Sequence, residues 1–516
     1  MRPRTPLLAA TAACLSLAAP SARAQSVAPD WSDDVAAFAQ RVIDLRIAPG
    51  LGIAVSRGDR VVWATGFGVA DMQTGRAVDE GTAFYIASST KALTATAVVL
   101  KAARGEIDLA APIDRYVPGL RFRAPLDAAE VTIADLLSMS DGIEGGGPVV
   151  IRTAYSGEFT PALLVELLAD YGPAEDGRAF QYDNLPFNIL GLALDPDEPH
   201  GWKTVVAREV LEPLGMERTS ASLSSLDPEA IAMPHAIVSA AGWERIPLGK
   251  ADANLHAAGG HFATPRDLAR FLAAHASGGL LEGERVFPTA AIESMHATHA
   301  TQDRDFGPFH RFGWGYGWDL GTWNGRTIVH RFGSFAGYRS HMSFEPATGI
   351  GVVVLVNGRG PASPASDLVA TYVYDRLRED NVPTSPDPRA LMELDAEYER
   401  KLAELEVRRA TAEREAAAAL ETRRARQAPL PHPVEDYAGT YRSPRLGTMT
   451  WRVGDEGLRV AMGVAGSPAE VYDAAKNQLR VELTGGGTVV AFEFPPVGGP
   501  ATALVIEGER FERIGP

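Results

Sequence analysis

Ser88 and Lys91 stand three residues apart in AFYIASSTKALTATAVVL, where strand-like sequence gives way to a helical pattern. At a helix start, residues three apart share a face, so the Lys amine can reach the Ser hydroxyl. A serine hydroxyl is a poor nucleophile until a neighbouring base takes its proton. The N–H groups and positive dipole end of the helix also suit a developing oxyanion. Alone, Ser-x-x-Lys is a common chance pattern. Its setting sharpens it, because small residues surround Ser88 and Leu93, Ala97, Leu100 and Ala103 continue at helical spacing.

Two further clusters could serve the same chemistry. Tyr182-Asp183-Asn184, in FQYDNLPFNILG, offers a phenol whose pKa a nearby Lys would lower, and an amide that can both donate and accept. By itself it reads equally as a core Tyr beside a turn Asn. His330-Arg331-Phe332-Gly333-Ser334, followed by Gly337-Tyr338, falls where a strand should run. A cation there could grip a substrate carboxylate. Gly333 would let substrate lie against the strand, and the next N–H could point into the site. The alternative is an edge strand bearing a surface Arg.

In this order the three clusters resemble the serine β-lactamase and penicillin-binding-protein superfamily, in its class C-like branch of esterases, D-aminopeptidases and D-alanyl-D-alanine carboxypeptidases. The resemblance covers roughly residues 35–380. It extends to VTIADLLSMSDGI at 131–143, EPLGMERTS at 212–220, AAGGHFATPRDLARFL at 257–272 and FEPATGIGVVVLVN at 344–357. It implies that Ser88 is acylated, that Lys91 relays its proton, and that Tyr182 activates first Ser88 and then the deacylating water. Asn184 would position substrate, and the Ser88 and Ser334 N–H groups would form the oxyanion hole. It implies no metal and no organic cofactor.

The third cluster departs from the family's Lys-Thr-Gly or His-x-Gly. Counting back from Gly337-Tyr338 puts Arg331-Phe332-Gly333 in that register, with His330 one place early. Neighbours on a strand face opposite ways, so only one of His330 and Arg331 enters the cleft unless the strand bulges. Arg331 keeps the family's positive charge and is the preferred reading. Its long guanidinium and the bulk of Phe332 would narrow a β-lactam site, which argues against efficient β-lactamase activity. The expected function is a serine hydrolase forming an acyl-enzyme with small esters or D-amino-acid-containing peptides and amides. The alternatives are a β-lactamase or D-Ala-D-Ala carboxypeptidase proper, or a catalytically weak penicillin-binding or cell-wall-binding protein.

The elements that must hold these residues are legible in outline. LGIAVSRGDRVVWATG at 51–66 reads as a hairpin turning at Arg57-Gly58-Asp59, a tripeptide that could otherwise serve adhesion. A helix is expected over Pro265 to Ala274. Strands are expected at Thr327–His330, Ser340–Phe344 and Ile350–Val356. PFHRFGWGYGWDLG at 308–321 suits either an acyl pocket or a packed hairpin. His296 and His299 could pair on a metal, but lacking carboxylates nearby they read as surface residues.

Composition breaks at PTSPDP, residues 383–388. The Ala, Glu, Arg and Leu that follow carry Leu391, Leu394, Tyr398, Leu402 and Leu405 at helical spacing, a connector helix rather than a coiled coil. Short alternating runs after 434 (TMTWRV, GLRVAM, QLRVEL, VVAFEF) predict a small antiparallel barrel or sandwich. DYAGTYRSP at 436–444 resembles the lipocalin-like domains appended to some family members. The reading is therefore α+β. It has an antiparallel sheet flanked by helices with a mostly helical subdomain (25–385), a helical linker (386–428) and a C-terminal β-barrel (429–516).

The first 24 residues read as a signal peptide: Arg2 and Arg4, an apolar run from Leu7 to Ala19, then Ala22-Arg23-Ala24. Cleavage after Ala24 would give an exported, periplasmic or secreted protein. It would remove three Arg, taking the formal charge from −16 to −19. The only cysteine, Cys14, lies in that run and lacks the setting of a lipoprotein site. With 65 acidic and 49 basic residues, phosphate-backbone binding is a poor main task. No run is long enough for a membrane span. The expected partner is a small ester, peptide or β-lactam; oligomeric state is not legible.

Overall fold

The computed structural model describes residues 31–195, 201–247, 249–379, 388–426, 428–455, 457–484 and 486–516. The leader-like stretch and Cys14 lie outside them. No helix among the described residues is long and apolar enough to cross a membrane.

The sequence folds as a sheet domain, a helical region inserted in it, a long helix and a barrel. Nine antiparallel strands form the main sheet. The first three are β1 (Gly50–Arg57), β2 (Arg60–Asp71) and β3 (Arg76–Ala77). The other six follow the helical region: β4 (Ala300–Phe306), β5 (Phe309–Trp314), β6 (Asp319–Trp323), β7 (Arg326–Phe335), β8 (Tyr338–Glu345) and β9 (Ile350–Val356). Their order is β4-β5-β6-β7-β8-β9-β1-β2-β3, so the chain's two halves meet where β9 pairs with β1. β9 has every residue buried, as its unbroken apolar sequence requires of a central strand.

Side-chain alternation divides the core into two layers. Val353 and Leu355 face one cluster with α2 (Thr90–Ala103) and the later helix Pro265–Ala276; Val352, Val354 and Val356 face the other. In that second layer α1 (Trp31–Asp44) packs on the helix Ala362–Glu379, with Phe38 stacked on Tyr372 at 4.1 Å. The helix Pro265–Ala276 starts where Thr264 accepts from the Asp267 N–H and Pro265 occupies the first turn. It buries Leu268, Phe271 and Leu272 against the sheet.

The long helix Pro388–Ala425 buries Tyr398, Leu402 and Leu405 in the second layer. Beyond Leu405 ion pairs replace apolar contacts. Arg409 meets Glu413 at 2.7 Å, Glu413 meets Arg46 at 3.6 Å, and Arg423 grips Glu470 of the C-terminal region through two hydrogen bonds. The last nine strands, from Gly439–Ser443 to Glu509–Gly515, form one antiparallel sheet. Its two edge strands, Ala465–Pro468 and Glu470–Asp473, are consecutive in sequence, and the Ser467 hydroxyl accepts from the Glu482 N–H across the gap. The result is a nearly closed barrel cored by Tyr437, Tyr441, Trp451, Phe492 and Phe511.

Candidate active site

Ser88 sits in a single 3-10 turn, Ala87–Ser89, immediately before α2. Ala87 has φ +46°, a left-handed conformation uncommon for a residue with a Cβ. That bend turns the chain from the short strand Phe84–Tyr85 into the helix and leaves Ser88 half exposed at the rim. The turn is clamped from below. Ser340 on β8 donates to the Ile86 carbonyl at 2.8 Å and shares a 2.8 Å hydrogen bond with the Ser89 hydroxyl.

Lys91, fully buried one helical turn on, aims its three N–H donors at three acceptors: Ser88 Oγ at 3.2 Å, Asn184 Oδ1 at 2.6 Å and the Ala258 carbonyl at 2.8 Å. Burial pushes its ammonium down to about 8, and the neighbouring Arg331 adds to that. Tyr182 and Asn184 arrive on the irregular segment before the helix Leu185–Leu194. Asp183 between them pins it by accepting from the Leu185 N–H at 2.7 Å and the Gly146 N–H at 2.9 Å.

Strand β7 closes the site from the other side. Arg331 and Gly333 face Ser88, whereas His330 and Phe332 face away. His330 is wholly buried and stacked on Phe309, with neither ring nitrogen hydrogen-bonded. Arg331 donates from Nε to the Ser88 carbonyl at 3.1 Å, from Nη1 to Asp319 at 2.8 Å, and from Nη2 to the Tyr182 hydroxyl. All three of its nitrogens are engaged inside the protein, so its immediate work is on Tyr182 rather than on a substrate carboxylate. Burial alone would push the Tyr182 phenol up. The Arg331 guanidinium and Lys91 ammonium outweigh it, with Ser88 hydrogen-bonding as well, and bring the phenol down to about 8.

Gly333 has no room for a side chain, since a Cβ there would lie 1.9 Å from the Ile86 carbonyl oxygen. Strand β6 pairs with β7 only as far as His330, so Arg331–Phe335 present a free edge to the cleft, with Ser334 on it. Phe332 packs on Phe306 and Phe309 and forms apolar wall. The cleft, about 270 Å³, is lined by Ser88, Tyr182, Arg331 and Ser334 and also by Arg304, Arg311 and Arg339. Those last three were not singled out in the sequence. They lie on three separate strands, and no local pattern marks them.

Of the weaker candidates, Trp314 and Trp318 in the 308–321 segment are buried, Trp314 donating to the Leu137 carbonyl. The segment is thus a packed hairpin, though its Arg311 reaches the cleft. His296 is half buried against His275 and Phe344 rather than on the surface, and His299 stacks on Tyr316. Among the described residues no group of three or more His, Cys, Asp or Glu is arranged to hold a metal.

A family model described as Beta-lactamase matches residues 38–373. Penicillin-binding protein 4 of Amycolatopsis lactamdurans is 27% identical over 364 residues, 68% of this chain and 93% of that protein. Esterase EstB of Burkholderia gladioli is 32% identical over 213 residues, 39% of this chain and 53% of the esterase. Among solved structures, the octameric penicillin-binding protein homologue from Pyrococcus abyssi gives a TM-score of 0.55 at 21% identity, covering 93% of this chain and 99% of its own. D-amino acid amidase from Ochrobactrum anthropi SV3 gives 0.57 at 19% identity, covering 69% and 100%. At those identities the two structures speak for the fold alone.

Proposed function

Because the chain belongs to the beta-lactamase family and is a serine hydrolase, we propose that it cleaves small esters or D-amino-acid-containing peptides and amides through an acyl-enzyme on Ser88. The observation that carries the reading is the shared hold on one hydroxyl. Lys91 donates to Ser88 Oγ, and Tyr182, hydrogen-bonded to Ser88, has its phenol drawn down by two cations. A phenolate so stabilised accepts the Ser88 proton as Oγ forms its bond to the substrate carbonyl carbon. Collapse of the tetrahedral intermediate breaks the bond to the leaving oxygen or nitrogen, which takes that proton. Water then repeats the sequence on the acyl-enzyme, releasing the acid and restoring Ser88.

The four guanidiniums around the cleft favour substrates bearing a carboxylate. A free C-terminus would supply one, and the exposed Arg304 is the group to read it, since Arg331 is engaged internally, Arg311 is buried against Asp319 at 3.1 Å and Arg339 meets Asp367 at 3.4 Å. The first 24 residues support export, and fractionation of cells expressing the full chain tests that part of the reading.

Incubation with p-nitrophenyl acetate, short D-amino-acid amides and penicillins, followed by intact-mass measurement, tests the main reading. The native chain should gain one acyl mass with at least one ester or amide. Ser88→Ala should gain none and lose at least about 10³-fold in kcat/KM. Equal turnover by the two proteins would remove Ser88 from the chemistry.

A further inference from the structure

Past Gly333, strand β7 leaves the nucleophile turn and runs into a box of aromatic rings. Phe335 shares the face of Arg331 and Gly333, two residues beyond the point where the strand abuts Ile86. Its ring lies 5.6 Å from that of Tyr85 and 5.5 Å from that of Tyr155. Tyr85 stands three residues before Ser88 and donates to the Gly259 carbonyl, next in the chain to the Ala258 carbonyl that receives Lys91. Tyr155 comes from the π-helical turn Ile151–Ser156. Two residues of strand span roughly 7 Å, which puts the box within reach of an acyl group held on Ser88.

The side chain of Lys250 points into this box from the irregular chain ahead of the 3-10 turn Asp252–Asn254. Its Nζ lies 3.8 Å from the centre of the Phe335 ring and 5.0 Å from that of Tyr85, and it donates to the Ala154 carbonyl at 2.6 Å. No carboxylate answers it among the described residues. Asp252, two residues on, gives its oxygens to the Ser222 hydroxyl and the Leu223 N–H. Burial pushes the Tyr85 and Tyr155 phenols up and holds the His256 imidazole well below its usual range, so these neighbours are neutral near pH 7. For Lys250 itself, burial is the one cause at work, and it takes the amine well below its usual range. A cation buried among rings without a counter-ion is costly to hold. Lys250, Tyr155 and Phe335 nevertheless keep part of their surface open, so a counter-ion can arrive with a ligand.

We propose that this box is the acyl-side subsite of the cleft and takes substrates whose acyl group ends in a carboxylate, Lys250 being the counter-ion. The acyl chain lies along Phe335 and Tyr155, and its carboxylate draws a proton back onto the Lys250 amine. Arg304 would read the leaving group, so the two ends of a substrate meet two different cations. The inference rests on the reading of Ser88 as the acylated residue.

The test compares p-nitrophenyl hydrogen adipate with p-nitrophenyl hexanoate, whose acyl chains match in length and differ in the terminal carboxylate. The native chain should prefer the adipate by at least about tenfold in kcat/KM, chiefly through KM. Lys250→Met, which refills the box with an apolar side chain, should collapse that ratio, and Lys250→Arg should keep part of it. No preference for the adipate in the native chain overturns the subsite, and so does a preference that survives Lys250→Met. A ratio that collapses in Arg304→Met instead puts the carboxylate at the other end of the cleft and overturns it too. Calorimetry with monomethyl adipate separates this result from the fate of Ser88. Ser88→Ala should bind the ligand, and Ser88→Ala combined with Lys250→Met should bind it at least about tenfold more weakly. If the native chain hydrolyses neither ester, the functional reading fails and the calorimetry decides the subsite. Absent binding, or binding indifferent to Lys250, overturns it.

Discussion

The proton that Ser88 must lose is governed by Lys91 and Tyr182, which titrate as a coupled pair beside Arg331. Lys91 and Tyr182 are each drawn to about 8, the first mainly by burial, the second by cations that overcome burial. The acylation rate should therefore rise with pH through an apparent value near 8 that belongs to the pair. Removing Arg331 withdraws stabilisation from the Tyr182 phenolate and repulsion from the Lys91 ammonium. Both changes make the protons harder to lose, so in Arg331→Met the inflection of kcat/KM for p-nitrophenyl acetate should move up by about one unit or more. Arg331→Lys should recover part of it. An unmoved inflection with only a lower plateau would reduce Arg331 to packing. Ser88, Lys91, Tyr182 and Asn184 could be singled out from sequence because each sits in a short run whose residue types already suggest the chemistry. Alternation along β7 separates Arg331 from His330 by the same kind of local rule. Ser340, Asp319 and Ala258 gave no such signal, because ordinary residue types become partners only when distant strands meet.

At the scale of elements, the site depends on how closely β7 approaches the nucleophile turn. Gly333 permits that approach: a Cβ would meet the Ile86 carbonyl oxygen at 1.9 Å and Ser340 Oγ at 2.6 Å, and neither the strand nor the clamped turn can yield cheaply. Gly333→Ala should push Ala87–Ser89 off its position and cut kcat at least about tenfold, while overpacking lowers stability by about 1–3 kcal/mol. Steady-state kinetics and a thermal melt measure the two effects, and near-native kcat would show that the turn tolerates displacement. The strands and the helix at Pro265 were legible because their patterns are strict. β9 is apolar throughout, and Thr-Pro-Arg-Asp opens its helix with a cap, a Pro and an acid. The helical region between α2 and Pro265 was not, since its short helices, 3-10 turns and π-helical turns at Ile151–Ser156 and Ala207–Leu211 carry no single period.

At the scale of the whole molecule, the buried and half-buried imidazoles among the described residues are concentrated in the hydrolase part. Burial, as the largest cause, holds His256, His275 and His330 well below their usual range and takes His261 and His296 to about 3. In the unfolded chain these groups titrate near 6.5. A folded pKa below the unfolded one means that the stability they allow is whole above about 6.5. It drains as pH falls, because the unfolded chain then binds protons that the fold refuses. Each such imidazole costs up to about 1.4 kcal/mol per pH unit below that point. Of the five, His261 and His330 each have two buried nitrogens without hydrogen bonds, and His330 is held by ring contacts with Phe309 and Phe332 in the second layer's aromatic cluster. His330→Leu keeps the contact with Phe309 and removes one titrating group. Its melting temperature should exceed that of the native chain at pH 5 by more than it does at pH 8. A constant difference across that range would mean that the imidazole takes up its proton in the fold as readily as in the unfolded chain, so that its burial does not depress it.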